Sequence, residues 1–346
     1  MGVTDRLRIA QLAPIALPVA PGAGDSIEQL VWLLCEELLR RGHEVTLFAT
    51  GDSQTSARLV STYQRGYEHD DALWDWRLHE IMHAAAVFER AAEFDVIHSH
   101  DYYFALPFTR LVATPVVHTY HVEVDQDVIG AFAGYPEAAL IAVSDWQRAT
   151  LAALADTTVI RHGIDTSLFP YRSTADDYLL FLGRLIPDKG PVEAIELARA
   201  LDRRLILAGP GEEYFEREVR PLIDGQQVRY VGRVGAAERN QLLAGAGALL
   251  LPLHYPEPFG LVMIEAMACG TPVLATALGA VPEIVEPGVT GYHAPSPAAL
   301  RDYVPAALRL DRARIRARAV ERFDFARMVD EHEALYGRLA GQRGRQ

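Results

Sequence analysis

Short apolar stretches alternate with longer amphipathic stretches along the first half of the chain. The apolar stretches predict β-strands near Arg8–Leu12, Glu44–Ala49, Asp95–His98, Pro115–His118, Leu140–Val143 and Thr158–Ile160. The stretches between them predict helices at about Ile27–Arg41, Leu73–Ala92 and Ser144–Ala153. Asp25 and Glu28 are spaced as a capping box that opens the first of these helices. Strands that alternate with helices predict a parallel sheet covered by helices.

The second half repeats this alternation after an irregular segment, residues 163–177, which we interpret as a linker. Its apolar stretches predict strands at Tyr178–Leu182, Arg204–Ala208, Val228–Val231, Ala248–Leu251 and Pro272–Ala275, and a helical tail follows from Pro297. A chain of 346 residues is longer than one ordinary domain. The predicted fold class is therefore α/β, with two doubly wound, Rossmann-like domains at residues 1–165 and 166–324.

Charge and composition exclude several classes of partner. The net charge is −13, and residues 1–165 hold 23 acidic side chains against 11 arginines, a net charge of −12. An acidic first half disfavours nucleic acid and anionic membrane surfaces as partners. The sequence has no apolar run of about 18 residues that could span a membrane, and its first residues lack the apolar core of a signal peptide. Cys35 and Cys269 lie in apolar helical patterns that suggest no disulfide, so we expect a cytoplasmic protein.

Two carboxylates eight residues apart mark the segment 256–273. Glu257 precedes a Pro-Phe-Gly turn, and Glu265 lies on the apolar helix predicted to follow. The start of a helix offers backbone N–H groups and a dipole that favour an anion. An unpaired carboxylate in apolar surroundings is costly, which favours a ligand for Glu265. Both carboxylates can face one ligand that carries a diphosphate and hydroxyl groups, such as a sugar nucleotide; two ordinary solvated glutamates are the alternative.

Lysine occurs once in the chain, at Lys189, whereas arginine fills the other 32 basic positions. Lys189 follows Arg184 in the predicted loop between the strand at Tyr178–Leu182 and the helix that starts near Pro191. Open α/β sheets bind ligands at such strand-to-helix loops, and an ammonium and a guanidinium contact phosphate oxygens differently. We interpret the pair as a phosphate site; a lysine retained by chance is the alternative.

These motifs resemble those of the family 4 retaining glycosyltransferases of the GT-B fold. The resemblance rests on Glu257-x7-Glu265, on Gly183-Arg184 with Lys189-Gly190, and on the strings Phe-Gly-Leu and Ala-Cys-Gly-Thr-Pro-Val. Weaker strings follow in family order at residues 8–14, 41–49, 95–101, 143–144 and 160–165, so it covers nearly the whole chain. It implies two domains that face each other across a cleft, and a last helix within residues 325–346 that crosses back to the first domain.

The resemblance also implies the roles of individual residues in the transfer of a hexose from a nucleoside-diphosphate sugar. Arg184 and Lys189 would contact the diphosphate, Glu257 the hydroxyls of the donor sugar and Glu265 those of the ribose. The remaining donor-binding residues would be Gly183, the N–H groups around Phe259, Gly260 and Leu261, and the loop with Gly232 and Arg233, where the base would lie. The leaving phosphate oxygen can itself take the acceptor proton, so we expect no separate base and no cofactor.

Four histidines of the first half lie near predicted strand ends, at His98, His100, His118 and His121. By resemblance, His121 lies beside the donor sugar, while His98, His100 and Asp101 line the acceptor side. His98 and His118 could instead simply cap their strands. The spacing of the group also permits a metal site, but the donor motifs lack an acidic pair for a divalent ion, and we predict no metal.

One loop departs from the family pattern. Family members commonly have two glycines just before the first helix, where the backbone approaches the donor phosphate. Here Asp25 and Ser26 occupy those positions, with Gly22 and Gly24 upstream. Either the loop is shifted and Gly22 and Gly24 serve the donor, or the first half contacts the donor less.

Two other functions fit parts of the sequence. A PLP-dependent glycan phosphorylase of the same fold would use Lys189 as its Schiff-base residue, although such enzymes are far longer. A non-catalytic nucleotide-sugar binding protein would retain Glu265. For a transferase, the acidic first half, with Glu123, Asp125 and Asp127 after His121, predicts a soluble acceptor that is neutral or cationic. The motifs specify neither the base, nor the hexose, nor the acceptor.

Overall fold

The chain divides into two units in the computed structural model, which describes residues 6–22, 26–68, 70, 75–152, 154 and 157–343. The first unit comprises the chain up to Gly163 together with the segment from Phe325 onwards, and the second comprises Ile164–Asp324. The C-terminal segment therefore belongs to the first unit.

Within the described residues, each unit contains one parallel sheet, of seven strands in the first unit and six in the second. The strands of the first unit are β1 (Arg8–Leu12), β2 (Glu44–Phe48), β3 (Arg58–Val60), β4 (Val96–Ser99), β5 (Val116–Thr119), β6 (Ala139–Ala142) and β7 (Thr157–Val159). Those of the second are β8 (Leu179–Leu182), β9 (Leu205–Ala208), β10 (Val228–Tyr230), β11 (Ala248–Leu251), β12 (Val273–Thr276) and β13 (Gly291–Ala294).

Helices connect the strands in both units. They are α1 (Ser26–Arg40), α2 (Trp76–Phe88), α3 (Gln126–Ala133), α4 (Asp145–Thr150), α5 (Pro191–Ala200), α6 (Ala236–Gly245), α7 (Leu261–Ala268), α8 (Val281–Ile284), α9 (Val304–Ala307), α10 (Arg312–Phe323) and α11 (Phe325–Arg343). Side-chain caps fix several starts: Asp125 accepts from the N–H of Val128 at α3, and Ser144 from that of Gln147 at α4. None of the helices within the described ranges combines the length and apolar character that crossing a bilayer requires.

The strand order reverses once in each sheet. The order is β3-β2-β1-β4-β5-β6-β7 in the first unit and β10-β9-β8-β11-β12-β13 in the second. In the first unit β1 pairs with both β2 and β4, and in the second β8 pairs with both β9 and β11. The loops that leave two such neighbouring strands diverge, which opens a crevice at the carboxyl ends of the strands. Each unit therefore has a ligand-binding edge of its own.

The central strands are buried on both faces. Every residue of β4, β5, β8, β11 and β12 is buried. Strands covered by helices on both faces lose the polar alternation of exposed strands and become continuous apolar runs. This is why the sequence identifies the central strands so directly.

The helix α11 is held to α1 and β2 of the first unit by charged and aromatic contacts. Arg41 Nη1 lies 2.6 Å from Asp330 Oδ1 and 2.8 Å from Glu333 Oε2. His43 Nε2 lies 3.1 Å from Glu333 Oε1, and the Tyr336 side chain is completely buried. These contacts place α11 beside the strand ends that carry the histidines.

Among the elements that the sequence pattern did not predict are β3, β13 and α3. The two strands are short and outermost in their sheets, where a polar side chain can reach water, so their sequences lack an apolar run. The helix predicted at Leu73–Ala92 is shorter, since α2 ends at Phe88. Gly24, Asp25, Leu73 and Ala153, which figure in the sequence predictions, lie outside the described residues.

A buried arginine joins α10 to the rest of the second unit. Arg312 is only 8% exposed, and its guanidinium donates to the carbonyls of Arg172, Ala244 and Ala246 and to Thr271 Oγ1 over 2.7–2.9 Å. Burial lowers the pKa of Arg312. These planar, multiple donors satisfy carbonyl groups that would otherwise be buried without a partner.

We predict that Arg312→Met lowers the free energy of unfolding of the second unit by about 3 kcal/mol, because three buried carbonyls and a hydroxyl lose their donor. Urea unfolding followed by circular dichroism measures this change. Arg314→Met, on the exposed face of the same helix, is the matched control and should change stability by less than about 0.5 kcal/mol. Equal effects of both substitutions would contradict a special role for Arg312.

Candidate active site

The loop after β8 places two basic residues at the carboxyl edge of the second sheet. Gly183 ends the strand, Arg184 is exposed, and Lys189 closes a short turn at Pro187–Lys189 before α5. Gly190 follows with φ +71°, and a Cβ at this position would lie 2.0 Å from the carbonyl oxygen of Pro252. This close approach brings the loop after β8 against the loop after β11.

Lys189 contacts Glu257, its predicted companion at the site. Lys189 Nζ donates to Glu257 Oε2 over 2.8 Å, and both side chains are mostly buried. The Tyr255 hydroxyl contacts both groups, and its ring lies under the ammonium, with 4.5 Å between Nζ and the ring centroid. Burial and the charge of Glu257 raise the pKa of Tyr255, so the phenol stays protonated and donates a hydrogen bond to Glu257. The result is a triad in which an ammonium and a carboxylate are held side by side.

The backbone behind Glu257 is fixed by the loop after β12. The N–H of Ala280 donates to the Glu257 carbonyl over 2.8 Å. Gly279 has φ +63°, and a Cβ on it would lie 2.3 Å from the same carbonyl oxygen. Glycine is therefore required there for the loop that carries Glu257 to pack against its neighbour.

Glu265 lies on α7 in an apolar environment and faces a second arginine. It is 9% exposed, and Arg239 Nη2 on α6 lies 3.5 Å from Glu265 Oε1. Burial raises the pKa of Glu265, and the charge of Arg239 lowers it. The residue is therefore a buried acceptor with one cation nearby, as a ligand-binding carboxylate should be.

The other predicted donor-binding residues lie at or near the same edge of the second sheet. Phe259 is 2% exposed and packs edge-on against Phe323, with 6.1 Å between the ring centroids. Gly260 directly precedes α7, and Leu261 is its first residue. Gly232 follows β10 and accepts from the N–H of Gly209, while Arg233 beside it is exposed.

In the first unit, His98 lies at the centre of a buried polar network. Its Nδ1 is 2.5 Å from the Tyr336 hydroxyl, and its Nε2 is 2.7 Å from Thr119 Oγ1. Gln11 Nε2 donates to the same Tyr336 hydroxyl over 3.0 Å. Both nitrogens of His98 are therefore engaged within the protein.

A chain of three further histidines extends from Gln11. His100 Nε2 lies 3.0 Å from Gln11 Oε1, His100 Nδ1 lies 3.0 Å from His121 Nε2, and His121 Nδ1 lies 3.4 Å from His162 Nε2. An amide oxygen can only accept, so His100 donates from Nε2 to Gln11. When the rings are neutral, His100 Nδ1 then accepts from His121 Nε2, and His121 Nδ1 accepts from His162 Nε2. Burial lowers the pKa of each ring, that of His121 to about 3. These rings are therefore neutral near pH 7, with defined tautomers.

A small cavity of about 10 Å³ lies beside this chain, lined by His100, His121, His162 and His332 with apolar side chains of α1 and the strands. It is large enough for about one water molecule. His118 is apart from the chain: its Nε2 contacts Thr109 Oγ1 at 2.9 Å, and its ring packs on Phe132. Among the described residues, no group of three or more side chains has the geometry of a metal site.

Asp101 and Glu80 form a buried acidic pair in the same unit. Both are 0% exposed, and neither Asp101 oxygen has a hydrogen-bond partner among the described residues. Glu80 accepts from the N–H of Ile15 at 3.2 Å. Burial and the charge of Glu80 raise the pKa of Asp101 well above its usual value. The shift favours the neutral, protonated form of Asp101, because two carboxylates buried side by side cannot both be ionised without a large cost.

The structure groups the predicted residues into two clusters, one in each unit. Lys189 and Glu257 are in contact, as are His100 and His121. Sequence reasoning missed the side chains that hold these groups: Tyr255, Arg239, Glu80, His162, His332 and Tyr336. Tyr255, two residues before Glu257, and His162, inside a string of the family resemblance, were visible in the sequence; the others come from distant segments.

Two family models together match most of the chain. The model described as "Glycosyltransferase Family 4" matches residues 27–168, and that described as "Glycosyl transferases group 1" matches residues 168–322. Their meeting point lies close to the boundary between the two structural units.

Individual relatives agree with the family models. The chain is 32% identical over 291 residues to glycogen synthase of Mycobacterium tuberculosis, covering 72% of this chain and 70% of the relative. It is 26% identical over 376 residues to phosphatidyl-myo-inositol mannosyltransferase of Mycobacterium leprae, covering 96% and 97%. Sucrose-phosphate synthase from Thermosynechococcus elongatus superposes with a TM-score of 0.81 at 22% identity, covering 97% of this chain and all of that structure, which shows a shared fold.

We predict that Asp101→Asn stabilises the first unit at pH 8 by about 1–2 kcal/mol and that the gain shrinks towards pH 5. When the pKa of a carboxyl is higher in the folded protein than in the unfolded one, the free energy of unfolding falls as the pH rises from the unfolded pKa, near 4, towards the folded pKa. The asparagine carries no charge and can donate to Glu80. All four tryptophans precede Gly163 in the sequence, so tryptophan fluorescence during urea unfolding follows this unit.

The matched control is Asp52→Asn, because Asp52 is exposed. It should change stability by less than about 0.5 kcal/mol at either pH. A loss of stability at pH 8 in Asp101→Asn would show that Asp101 is stabilising as an anion and would contradict its raised pKa.

Proposed function

The chain belongs to the family 4 glycosyltransferases of the GT-B fold, and we propose that it transfers a hexose from a nucleoside-diphosphate sugar to an acceptor with retention of configuration. Membership confirms the family and the fold class expected from the sequence, and it makes the protein a glycosyltransferase. The donor, the stereochemistry, the metal independence and the acceptor belong to the proposal.

The observation that carries the proposal is the contact between Lys189 and Glu257. The contact holds an ammonium beside a carboxylate at the carboxyl edge of the second sheet, which supports the proposed roles of Lys189 at the leaving phosphate and of Glu257 at the hydroxyls of the sugar. In a retaining transfer, negative charge develops on the departing diphosphate and positive charge on the sugar. Preorganised charges that match this development supply most of the rate enhancement in such reactions.

The other donor-binding residues have complementary tasks in this proposal. Arg184 and the N–H groups at the start of α7 add positive potential at the diphosphate. Glu265 accepts from the ribose hydroxyls, and the loop with Gly232 and Arg233 receives the base. Because the basic residues neutralise the leaving group and its phosphate oxygen takes the acceptor proton, the chemistry requires neither a metal ion nor a cofactor.

Among the three hydrogen-bonded histidines of the first unit, His100, His121 and His162, only His121 is partly exposed. We assign it to the donor sugar. His98, His100 and Asp101 are buried behind it. We therefore propose that they support the acceptor side by fixing His121 and the strand ends. Gly24, a proposed donor contact, lies outside the described residues.

The acceptor that we propose is free in water and neutral or cationic. The relatives give no single answer, since one is named for glycogen and another for phosphatidyl-myo-inositol. The net charge of −12 over residues 1–165 favours a cation and opposes an anionic surface. Salt would screen this attraction, so the KM of a cationic acceptor would rise with ionic strength.

The proposal is tested by thermal shift with UDP, GDP, ADP and TDP sugars, followed by NMR of the anomeric proton in the product. We expect one nucleotide series to raise the melting temperature, a product with the donor's anomeric configuration, and equal rates with and without EDTA. Inversion, or activity lost in EDTA and restored by a divalent ion, would contradict the mechanism. Binding without hydrolysis or transfer would instead indicate a binding protein.

We predict that Lys189→Ala lowers kcat/KM by a factor that corresponds to about 2–4 kcal/mol of lost transition-state stabilisation. This loss is typical of removing one donor to a developing anion. Arg184→Ala should cost a similar amount, and Lys189→Arg should recover only part of the loss, because the guanidinium is bulkier and planar. Steady-state kinetics with the identified donor measures these changes. Arg203→Ala is the control, since Arg203 is exposed and precedes β9 at the opposite, amino-terminal edge of the sheet. Wild-type turnover in Lys189→Ala would refute the assignment.

We predict separate roles for the two glutamates. Glu265→Gln should weaken binding of the free nucleoside diphosphate, because the ribose loses a charged acceptor. Glu257→Gln should lower transfer while leaving nucleotide affinity within about twofold, because Glu257 contacts the hexose. Calorimetric titration with the nucleoside diphosphate separates these effects. Equal losses of nucleotide affinity in both variants would contradict the division.

A further inference from the structure

Arg239 is the cation that faces the buried carboxylate of Glu265. It lies in the first turn of α6, directly after the loop that contains Gly232 and Arg233. Its side chain is 21% exposed and that of Glu265 is 12% exposed. The pair therefore links the helix after the proposed base loop to the proposed ribose-binding residue on α7.

The geometry of the pair leaves the carboxylate available to a ligand. The 3.5 Å between Arg239 Nη2 and Glu265 Oε1 is longer than an optimal charge-assisted hydrogen bond. The attraction is then chiefly electrostatic, and the lone pairs of both carboxylate oxygens remain free to accept hydroxyl groups. Arg239 Nε is buried with no hydrogen-bond partner among the described residues. This nitrogen can therefore still donate one hydrogen bond.

The other charged and titratable groups around Glu265 cannot replace Arg239. On α10, which packs against α7, Arg312 and Arg316 donate to backbone carbonyls. Cys269 at the end of α7 has its pKa raised to about 12 by burial and by the charge of Glu265, so its thiol is neutral near pH 7. Burial opposes the charge of Glu265, and Arg239 is the group that favours it.

We propose that Arg239 is a positioning residue that keeps Glu265 ionised and oriented for the nucleotide, so that nucleotide affinity stays constant across neutral pH. This inference rests on the proposed function, because it assigns the ligand of Glu265 to the nucleoside diphosphate. Without Arg239, burial alone acts on the carboxyl, so its pKa lies higher than in the wild type and the protonated form is favoured. A protonated carboxyl donates through one oxygen and is a weaker acceptor for the ribose hydroxyls.

The test is calorimetric titration between pH 5.5 and 8.5 with whichever of UDP, GDP, ADP or TDP the wild type binds most tightly. Wild type should show nearly constant affinity. Arg239→Leu should lose about tenfold at pH 6 and about twofold at pH 8.5, since one pKa unit corresponds to a tenfold change in protonation. Arg239→Lys should restore the constant profile, and Arg203→Leu, at the opposite edge of the sheet, should not alter it.

A double-mutant cycle separates positioning from direct contact. In the Glu265→Gln background, Arg239→Leu should change affinity by less than about twofold, because the group through which it acts is gone. Additive losses would show that Arg239 contacts the nucleotide itself, and a loss equal at every pH would indicate a structural role. Either outcome overturns the inference.

A second measurement needs no ligand. The same cycle in urea unfolding should show coupling between positions 239 and 265 at pH 8 that declines once the pH is low enough to protonate Glu265 in the wild type. Absence of coupling at pH 8 would overturn the inference. If the wild type binds none of the four nucleotides, the proposed function fails, whereas this unfolding cycle still decides whether Arg239 keeps Glu265 ionised.

Discussion

The reversal of strand order in each parallel sheet is the constraint on which the rest of the structure depends. Parallel pairing brings all carboxyl ends of the strands to one edge, and the strand order places β8 beside β11, so the loops that follow these two strands lie side by side. Lys189 leaves one of these strands and Glu257 the other, so two residues 68 positions apart meet at 2.8 Å. The reversal between β1 and β4 likewise brings Gln11 to His100 in the first unit.

The proposed site residues of the two units have different polar surroundings. In the second unit two of them are carboxylates that face cations: Glu257 faces Lys189, and Glu265 faces Arg239. The first unit buries histidines that become neutral and form hydrogen bonds with one another. Its acidic pair, Glu80 and Asp101, also moves towards neutral forms, because burial raises the pKa of both carboxyls. Carboxyl groups with pKa values shifted by burial are frequent at functional sites.

Tyr255 shows how a neutral side chain can serve two charged ones. Its ring lies under the Lys189 ammonium, and its hydroxyl contacts the Glu257 carboxylate. The phenol restricts the rotamers of both side chains without adding charge. Catalysis by preorganised charge requires such restraint, because a flexible lysine would otherwise lose part of its electrostatic effect to solvent.

The sequence by itself determined the alternation of strands and helices and the division into two α/β domains, and it singled out the residues to which we assign the chemistry. Buried parallel strands must be apolar, and glutamates at a helix start or in an apolar helix are conspicuous, so Glu257, Glu265 and Lys189 could be selected from their neighbours in sequence. The outer strands β3 and β13 could not, because partial exposure removes the apolar run. Only the tertiary structure decided which groups are partners: that Lys189 lies on Glu257, that Arg239 on another helix faces Glu265, and that His162, His332 and Tyr336 join His98 and His100. The physical reason is that hydrogen bonds and ion pairs act over a few ångströms in space, whereas the sequence only orders residues along the chain. The order of the strands in each sheet decides which residues that are distant in sequence become neighbours in space.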